Sequence, residues 1–159
     1  MADGPTTPAT LALDAAGVAF RAHPYEHAPR ADSFGLEAAV ALGVEPERVF
    51  KTLLAEVDGE LVIGIVPVTA RLHLKSLAGA AGGKRAIMAD PAVAERRTGY
   101  VVGGISPIGQ KRSHRTVVDE TAELFDTIFV SGGRRGFDVE LAPADLVRIT
   151  DATLADIAR

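Results

Sequence analysis

The chain reads as an α+β protein built on a mixed, mainly antiparallel sheet, and three observations predict this. Apolar, β-branched runs outnumber the helical segments and sit next to one another along the chain, as strands do when they pair with sequence neighbours. Two of these runs, residues 49–57 and 60–67, are separated only by Asp58-Gly59, a dipeptide suited to a type I′ hairpin turn. The helical segments are short and punctuated, opened by a capping residue or proline and closed by glycine.

Taken in order, residues 1–7 are expected as a flexible tail, which leaves a single compact domain over 8–159. Thr7 and Pro8 suit the N-cap and first position of a helix filled by Leu11, Leu13, Ala15 and Ala16, with Gly17 to end it. Residues 18–23 read as a short strand. Ser33 suits the cap of a second helix carrying Phe34, Ala38, Val40, Ala41 and Leu42, and Gly43 ends it. After the hairpin, residues 74–81 read as a helix stopped by Gly82-Gly83, and 84–88 as a strand. Asp90-Pro91 opens another helix and Gly99 closes it. Residues 100–105, 116–119, 127–131 and 137–141 read as strands, followed by a helix near 143–149.

The 159-residue chain contains no cysteine, which excludes a disulfide framework, a zinc–thiolate site and a cysteine nucleophile. It is compatible with a reducing compartment. No basic segment followed by an apolar run opens the chain, and no apolar stretch reaches the roughly 18 residues that span a bilayer. A cytoplasmic protein with no membrane partner is expected. The formal net charge of −4 is unevenly spread. Between Arg71 and Arg115 lie nine basic residues against Asp90 and Glu95, a local balance of +7 that leaves −11 elsewhere. Phosphate binding follows local potential rather than total charge. These side chains form either one patch or a solvated scatter.

Several residues do not suit their surroundings. Lys51 lies in Val49-Phe50-Lys51-Thr52-Leu53-Leu54, a strand apolar on both faces. Alternation places Val49, Lys51 and Leu53 on one face and Phe50, Thr52 and Leu54 on the other. A lysine held beside a core is costly unless it meets an acceptor or an anion. It is either a cation aimed into a pocket or an edge residue whose stem packs while its head reaches water.

Two glycine-rich segments, 99–109 and 131–136, are the second anomaly. Paired glycines let a backbone approach closely and leave N–H donors free for an acyl oxygen or a phosphate. They also serve ordinary turns. Neither segment has the spacing of a P-loop or a dinucleotide fingerprint. His23 and His27 would share a face on a helix, but Pro24 argues against a helix there. With no cysteine and no third ligand, neither metal nor cofactor is expected. Tyr25 and His27 could instead line a pocket. His73 and His114 read as surface residues, His114 also as a phosphate contact. Asp138 and Glu140 alternate and share a strand face, as a site pair or as a solvated edge. No GxSxG elbow and no Cys-His pair occurs. An enzyme of this sequence need not use a side chain as its nucleophile.

Tyr25-Glu26-His27, Phe34-Gly35, Val49 through Leu54, Met88-Ala89-Asp90-Pro91, Thr98 through Lys111 and Val130 through Gly136 together resemble the bacterial YbaK family, also called EbsC-like. The resemblance runs from about Thr7 to Arg159. It extends to the wider superfamily that includes the editing domain of some prolyl-tRNA synthetases. It implies a curved, barrel-like mixed sheet with flanking helices. It also implies hydrolysis of mischarged aminoacyl-tRNA, above all cysteine on tRNA(Pro) and often on tRNA(Cys). Lys51 matches the family's essential lysine. Tyr25, Phe34, Thr52, Gly103, Gly104, Ser131 and Asp138 match positions that line the family's pocket. Lys111, Arg112, Arg134 and Arg135 are the expected tRNA contacts. The implied partners are the 3′ acceptor end of tRNA(Pro) and prolyl-tRNA synthetase, with no DNA partner. In the chemistry proposed for the family, the substrate's own thiol attacks its ester and leaves a cyclic thioester. Phe50 stands where some relatives have Tyr, Arg134-Arg135 where some have Lys-Arg, and Ser113 and His114 depart from the family pattern.

Three readings follow: a Cys-tRNA(Pro) deacylase, a sister enzyme that clears alanine or another small residue with water, and a non-catalytic module that binds tRNA or a synthetase.

Overall fold

Asp58 and Gly59 both adopt positive φ, as the tight turn between two strands requires. The turn joins β2 (Phe50–Val57) to β3 (Glu60–Pro67), paired from Phe50↔Pro67 to Val57↔Glu60. A computed structural model describes residues 4–26 and 34–159 of the chain. Around this hairpin runs a five-stranded sheet ordered β4-β2-β3-β5-β8. β4 (Ala86–Met88) adds antiparallel to β2, while β5 (Arg115–Asp119) and β8 (Thr153–Ala155) add in parallel. β1 (Arg21–Pro24), β7 (Phe137–Leu141) and β6 (Ile128–Arg134) form a second, antiparallel sheet in the order β1-β7-β6. An isolated parallel bridge between Val49 and Phe129 joins the two. The expected mixed, mainly antiparallel α+β fold is thus present, its strands divided between two sheets that meet along β2 and β6.

The helices form where their caps predict. α1 (Pro8–Ala15) opens on Thr7, whose hydroxyl accepts from the Thr10 amide at 3.1 Å. Thr7 is itself buried and donates to the Gly132 carbonyl. α2 (Phe34–Leu42) starts at the edge of the described residues, so its expected cap Ser33 lies outside them. α3 (Leu74–Ala80) is capped by His73, which accepts from Ser76 N rather than standing free on the surface. α4 (Pro91–Thr98) opens on Asp90 and ends at left-handed Gly99. α5 (Pro143–Thr150) packs Leu146 into the core.

Three apolar clusters hold these layers together. The main one takes the Phe50 and Leu54 face of β2, with Leu13 of α1, Ala94 of α4 and Phe137, Val139 and Leu141 of β7. The opposite face of β2 packs Ala55 and Val57 against Leu77 and Ala78 of α3. Val49, Phe129, Ala38 and Ala39 form the third, under α2. Each large side chain so buried stabilises the fold by about 1.5–3 kcal/mol before the entropy of ordering it.

Three expectations about strands need correction. Residues 100–105 form no strand, because Gly103 is left-handed and the Gly104 amide closes a turn on Val101 O at 2.8 Å. Tyr100 is buried, and its hydroxyl donates to Ile108 O at 2.6 Å, folding the loop onto itself. The first strand begins at Arg21 rather than at residue 18, since Val18 packs in the core beside α1. β8 was not expected. It is a short, mostly exposed segment with no alternating pattern, held in register by β5 and by buried Asp119, which accepts from the Ile157 and Ala158 amides.

Candidate active site

A cavity of about 390 Å³ opens along the edge of β2, lined by all of Val49 to Leu54. β4 pairs with β2 only from Ala55 onward, and β6, which runs close beside β2, bridges to this edge at Val49 and forms no ladder with it. The middle of β2 therefore has no ladder partner on this edge. Ala38 of α2, Ala94 of α4 and the loop residues Val102 and Ile105 supply much of the apolar wall.

Six of the expected site residues converge here: Tyr25, Lys51, Thr52, Gly103, Ser131 and Asp138. Lys51 projects from the same face of β2 as Val49 and Leu53. Burial first, and then the charge of Arg71, lower its pKa. Among the described residues it has no ion-pair partner. Thr52 points to the opposite face, and its Oγ1 is buried without a hydrogen-bond partner. The cavity thus wraps around the strand edge and is reached by side chains from both faces.

Asp138 faces Ser131 across the β6–β7 ladder and His23 across the β1–β7 ladder. Burial pushes its carboxyl up to about 7. Tyr25 is raised by burial and then by Asp138, so the two side chains share one corner. Ser131 Oγ accepts from Gly133 N at 3.2 Å. Among the described residues no histidine lines the cavity, so within them neither Ser131 nor Thr52 has an imidazole base to activate it.

Behind Asp138, on the same strand face, Glu140 ties three elements together. It meets His23 Nε2 at 2.8 Å and Arg48 at 3.4 Å, and it accepts from the Thr127 hydroxyl. Arg48 also donates to Thr127 O and lies over the Phe129 ring, 5.1 Å from its centroid. This cluster pins the turn before β2 to β6 and β7. Sequence reading placed Asp138 and Glu140 on one face but missed Arg48 and Thr127, whose roles depend on contacts distant in sequence.

Gly104 does not line the cavity. A Cβ there would stand 2.8 Å from the backbone of Arg134 and Arg135, so its absence lets the two glycine-rich segments touch. Arg135 Nε completes the join by donating to Val102 O at 2.8 Å. Gly132 and Gly133 form a bulge between Ser131 and Arg134 rather than an open binding loop. The side chain of Phe34 and all of His27 lie outside the described residues. Lys111, Arg112, Arg134 and Arg135 are all exposed. Arg97 and Arg112 both act on His114, whose pKa is lowered by burial and then by these two charges. Arg97 and Arg112 therefore both lie near His114, which is half-buried with its Nδ1 on Gln110 Oε1. Among the described residues no cluster of three or more His, Asp or Glu could hold a metal. None of their helices is long and apolar enough to cross a membrane.

The fold and its lined cavity define an aminoacyl-tRNA editing domain, and the profile of that family matches residues 28–149. The chain belongs to the aminoacyl-tRNA editing domain family. It is 39% identical to EbsC of Enterococcus faecalis, to which a Cys-tRNA(Pro)/Cys-tRNA(Cys) deacylase activity is ascribed, over 84% of this chain and 82% of that one. It is 30% identical to the multifunctional Ser/Thr-tRNA deacylase ProXp-y of Escherichia coli K12, over 92% of this chain and 89% of that one. A segment of the proline–tRNA ligase of Moorella thermoacetica is 34% identical over 46% of this chain and 13% of the ligase. A solved structure of a candidate trans-editing enzyme for prolyl-tRNA synthetase has the same fold, with a TM-score of 0.86 at 23% identity over 98% of this chain and 99% of that one. The chain is thus an aminoacyl-tRNA deacylase by family.

Proposed function

We propose that the protein is a cytoplasmic trans-editing enzyme that removes cysteine from mischarged tRNA(Pro), and also from tRNA(Cys). The observation that carries this reading is a cavity in which, among the described residues, the cation Lys51 has no ion-pair partner and no side-chain nucleophile has a histidine base. Its volume of about 390 Å³ suits an aminoacyl group and the sugar it esterifies.

In this reading the substrate supplies its own nucleophile. The cysteine sulfur attacks its ester carbonyl. A C–S bond forms, the bond to the ribose oxygen breaks, and the thiol proton passes to that oxygen. The product is a four-membered thiolactone that water then opens. Proximity favours the attack and ring strain opposes it. Lys51 places a cation near the reacting ester, where it stabilises the developing negative charge, or near the terminal adenosine phosphate, which it holds in place. Asp138, with a pKa about 7, is matched to take up the proton of a thiol near neutral pH. The Gly103 amide orients the acyl group. Lys111, Arg112, Arg134 and Arg135 contact the acceptor stem, and prolyl-tRNA synthetase supplies further tRNA selectivity.

The likeness to a Ser/Thr-tRNA deacylase favours one second reading, in which an activated water clears alanine, serine or another small residue. The deciding experiment charges tRNA(Pro) with Cys, Ser, Thr, Ala or Pro and follows release of each amino acid. Rapid clearance of Cys is expected; clearance of Ala or Ser with Cys left intact overturns the thiol mechanism. If no charged tRNA is cleared while tRNA still binds, the chain acts as a binding module.

A further inference from the structure

Thr52 presents its own main chain, as well as its hydroxyl, to the cavity. Val68 N donates to Val49 O at 2.8 Å, which makes Val49 and Val68 a hydrogen-bonded pair of the β2–β3 ladder. Such pairs alternate along an antiparallel ladder, so Lys51↔Val66 and Leu53↔Gly64 are also hydrogen-bonded pairs. Thr52↔Ile65 is the non-bonded pair between them. The N–H and C=O of Thr52 therefore point away from β3, toward the β6 side, where no ladder is formed. Two further observations fix the phase. Leu54, two residues on, uses that outer edge to accept Ala89 N at 3.0 Å. Pro67, which has no N–H to give, sits opposite Phe50 at another non-bonded site.

The opening is one ladder step wide. On one side Ala89 closes it at Leu54, and on the other the Phe129 bridge closes it at Val49. Proteins ordinarily cover a strand edge. Here the edge faces a cavity with no ladder partner among the described residues, next to a buried hydroxyl that has no hydrogen-bond partner.

Resting on the editing reading above, we propose that the open edge of β2 at Thr52 binds the aminoacyl group as though it were one residue of a missing strand. An aminoacyl ester carries the same N–Cα–C=O unit as a strand residue. Its ester carbonyl accepts from Thr52 N–H, and its amino group donates to Thr52 C=O. These are the two hydrogen bonds of a single strand pair. Thr52 Oγ1 adds a third contact on the face of Phe50 and Leu54. Every amino acid shares the groups read this way. The edge therefore holds the substrate in register without choosing its side chain, and the choice falls to the walls around it.

The test uses the full chain and non-hydrolysable 3′-aminoacylamido-3′-deoxyadenosines carrying Cys, Ser or Ala. Amide exchange is followed by NMR at Lys51, Thr52 and Leu53. In the free protein, the Thr52 amide should exchange at least about tenfold faster than its ladder-bonded neighbours. On saturation with any of the three analogues, Thr52 should slow by at least about tenfold. Saturable binding with Thr52 exchange unchanged overturns the edge while leaving the deacylase reading intact. Protection by only one of the three analogues also overturns it. Absence of binding by every analogue, with deacylation of charged tRNA intact, shows that the adenosine and aminoacyl group are not held here and overturns it too. If both binding and deacylation are absent, the editing reading has failed. Thr52→Val keeps the backbone and should weaken all three analogues by a similar severalfold factor; Thr52→Ser should restore them.

Discussion

Gly104 lies against the backbone of Arg134, so close that a single added methyl group would stand 2.8 Å from its Cα. The obstacle is backbone rather than a flexible side chain, so one of the two glycine-rich segments must move. Gly104→Ala is expected to cost about 1–3 kcal/mol by overpacking, read as a lower denaturation midpoint. Because Val102 and Gly103 line the cavity beside this contact, deacylation should fall more than the loss of folded protein explains. A variant with wild-type stability would show that the contact is loose.

Asp138 gives a pH dependence with a definite sign. Its folded-state carboxyl titrates at about 7, raised by burial from 3.8. The folded protein therefore holds a proton that the unfolded chain releases. The stability this contributes is complete below about pH 4 and is lost as pH rises toward 7. Asp138→Asn removes this dependence. The variant should gain on the wild type across that window, by roughly 4 kcal/mol at most, since cavity water softens the penalty. Urea midpoints at pH 4 and pH 8 measure the difference. The rise of deacylation rate through about pH 7 should vanish in the same variant. An unchanged profile removes Asp138 from the proton transfer.

The frame of this protein was legible because its punctuation is local. Asp58-Gly59, Asp90-Pro91 and Gly99 take the conformations their chemistry demands, and the elements they bound follow. Lys51 was visible as a polar residue among apolar neighbours, and Asp138 with Glu140 as an alternating pair. What could not be read depends on pairs distant in the chain. The 100–105 segment is as apolar as a strand, but Tyr100 finds its partner in Ile108 and the loop closes on itself. Gly104 looked like a donor of free N–H groups and is instead a point of contact with residue 134. The gap beside Thr52 has no sequence signature, since it lies where β6 runs past the edge of β2 without forming a ladder.

Glu140 links the second sheet to the start of β2, and acid should undo the link. Burial alone would raise its pKa. Hydrogen bonds from Thr127 and His23, and the charges of His23 and Arg48, outweigh burial and lower it below 4.5. The stability it contributes is present at neutral pH and is lost as pH falls through that lowered value. Glu140→Gln should therefore flatten the acid limb of stability below about pH 4.5. Arg48→Ala removes the bonds to Thr127 and the contact over Phe129, and should cost about 1–2 kcal/mol at pH 7. Thermal unfolding across pH 3–7 separates the two. An acid limb that is the same in Glu140→Gln would leave the cluster without electrostatic weight.

Lys51 is expected to separate activity from stability. Its charge is held in a half-buried position that lowers its pKa, and no described carboxylate offsets the cost. Lys51→Met keeps the apolar stem, which packs beside Val49 and Leu53, and discards the charge. The folded protein disfavours the protonated amine, so the wild type carries a penalty at every pH where Lys51 is charged in the unfolded chain. The Met variant should unfold at the same temperature as the wild type or higher, while deacylation falls at least about a hundredfold. Lys51→Arg tests whether charge alone suffices. A planar, longer cation cannot occupy the same point, so only a small part of the activity should return. Loss of stability in Lys51→Met would mean that the amine has a structural partner after all. Full activity in that variant would take Lys51 out of the reaction and leave the cavity to work by positioning alone.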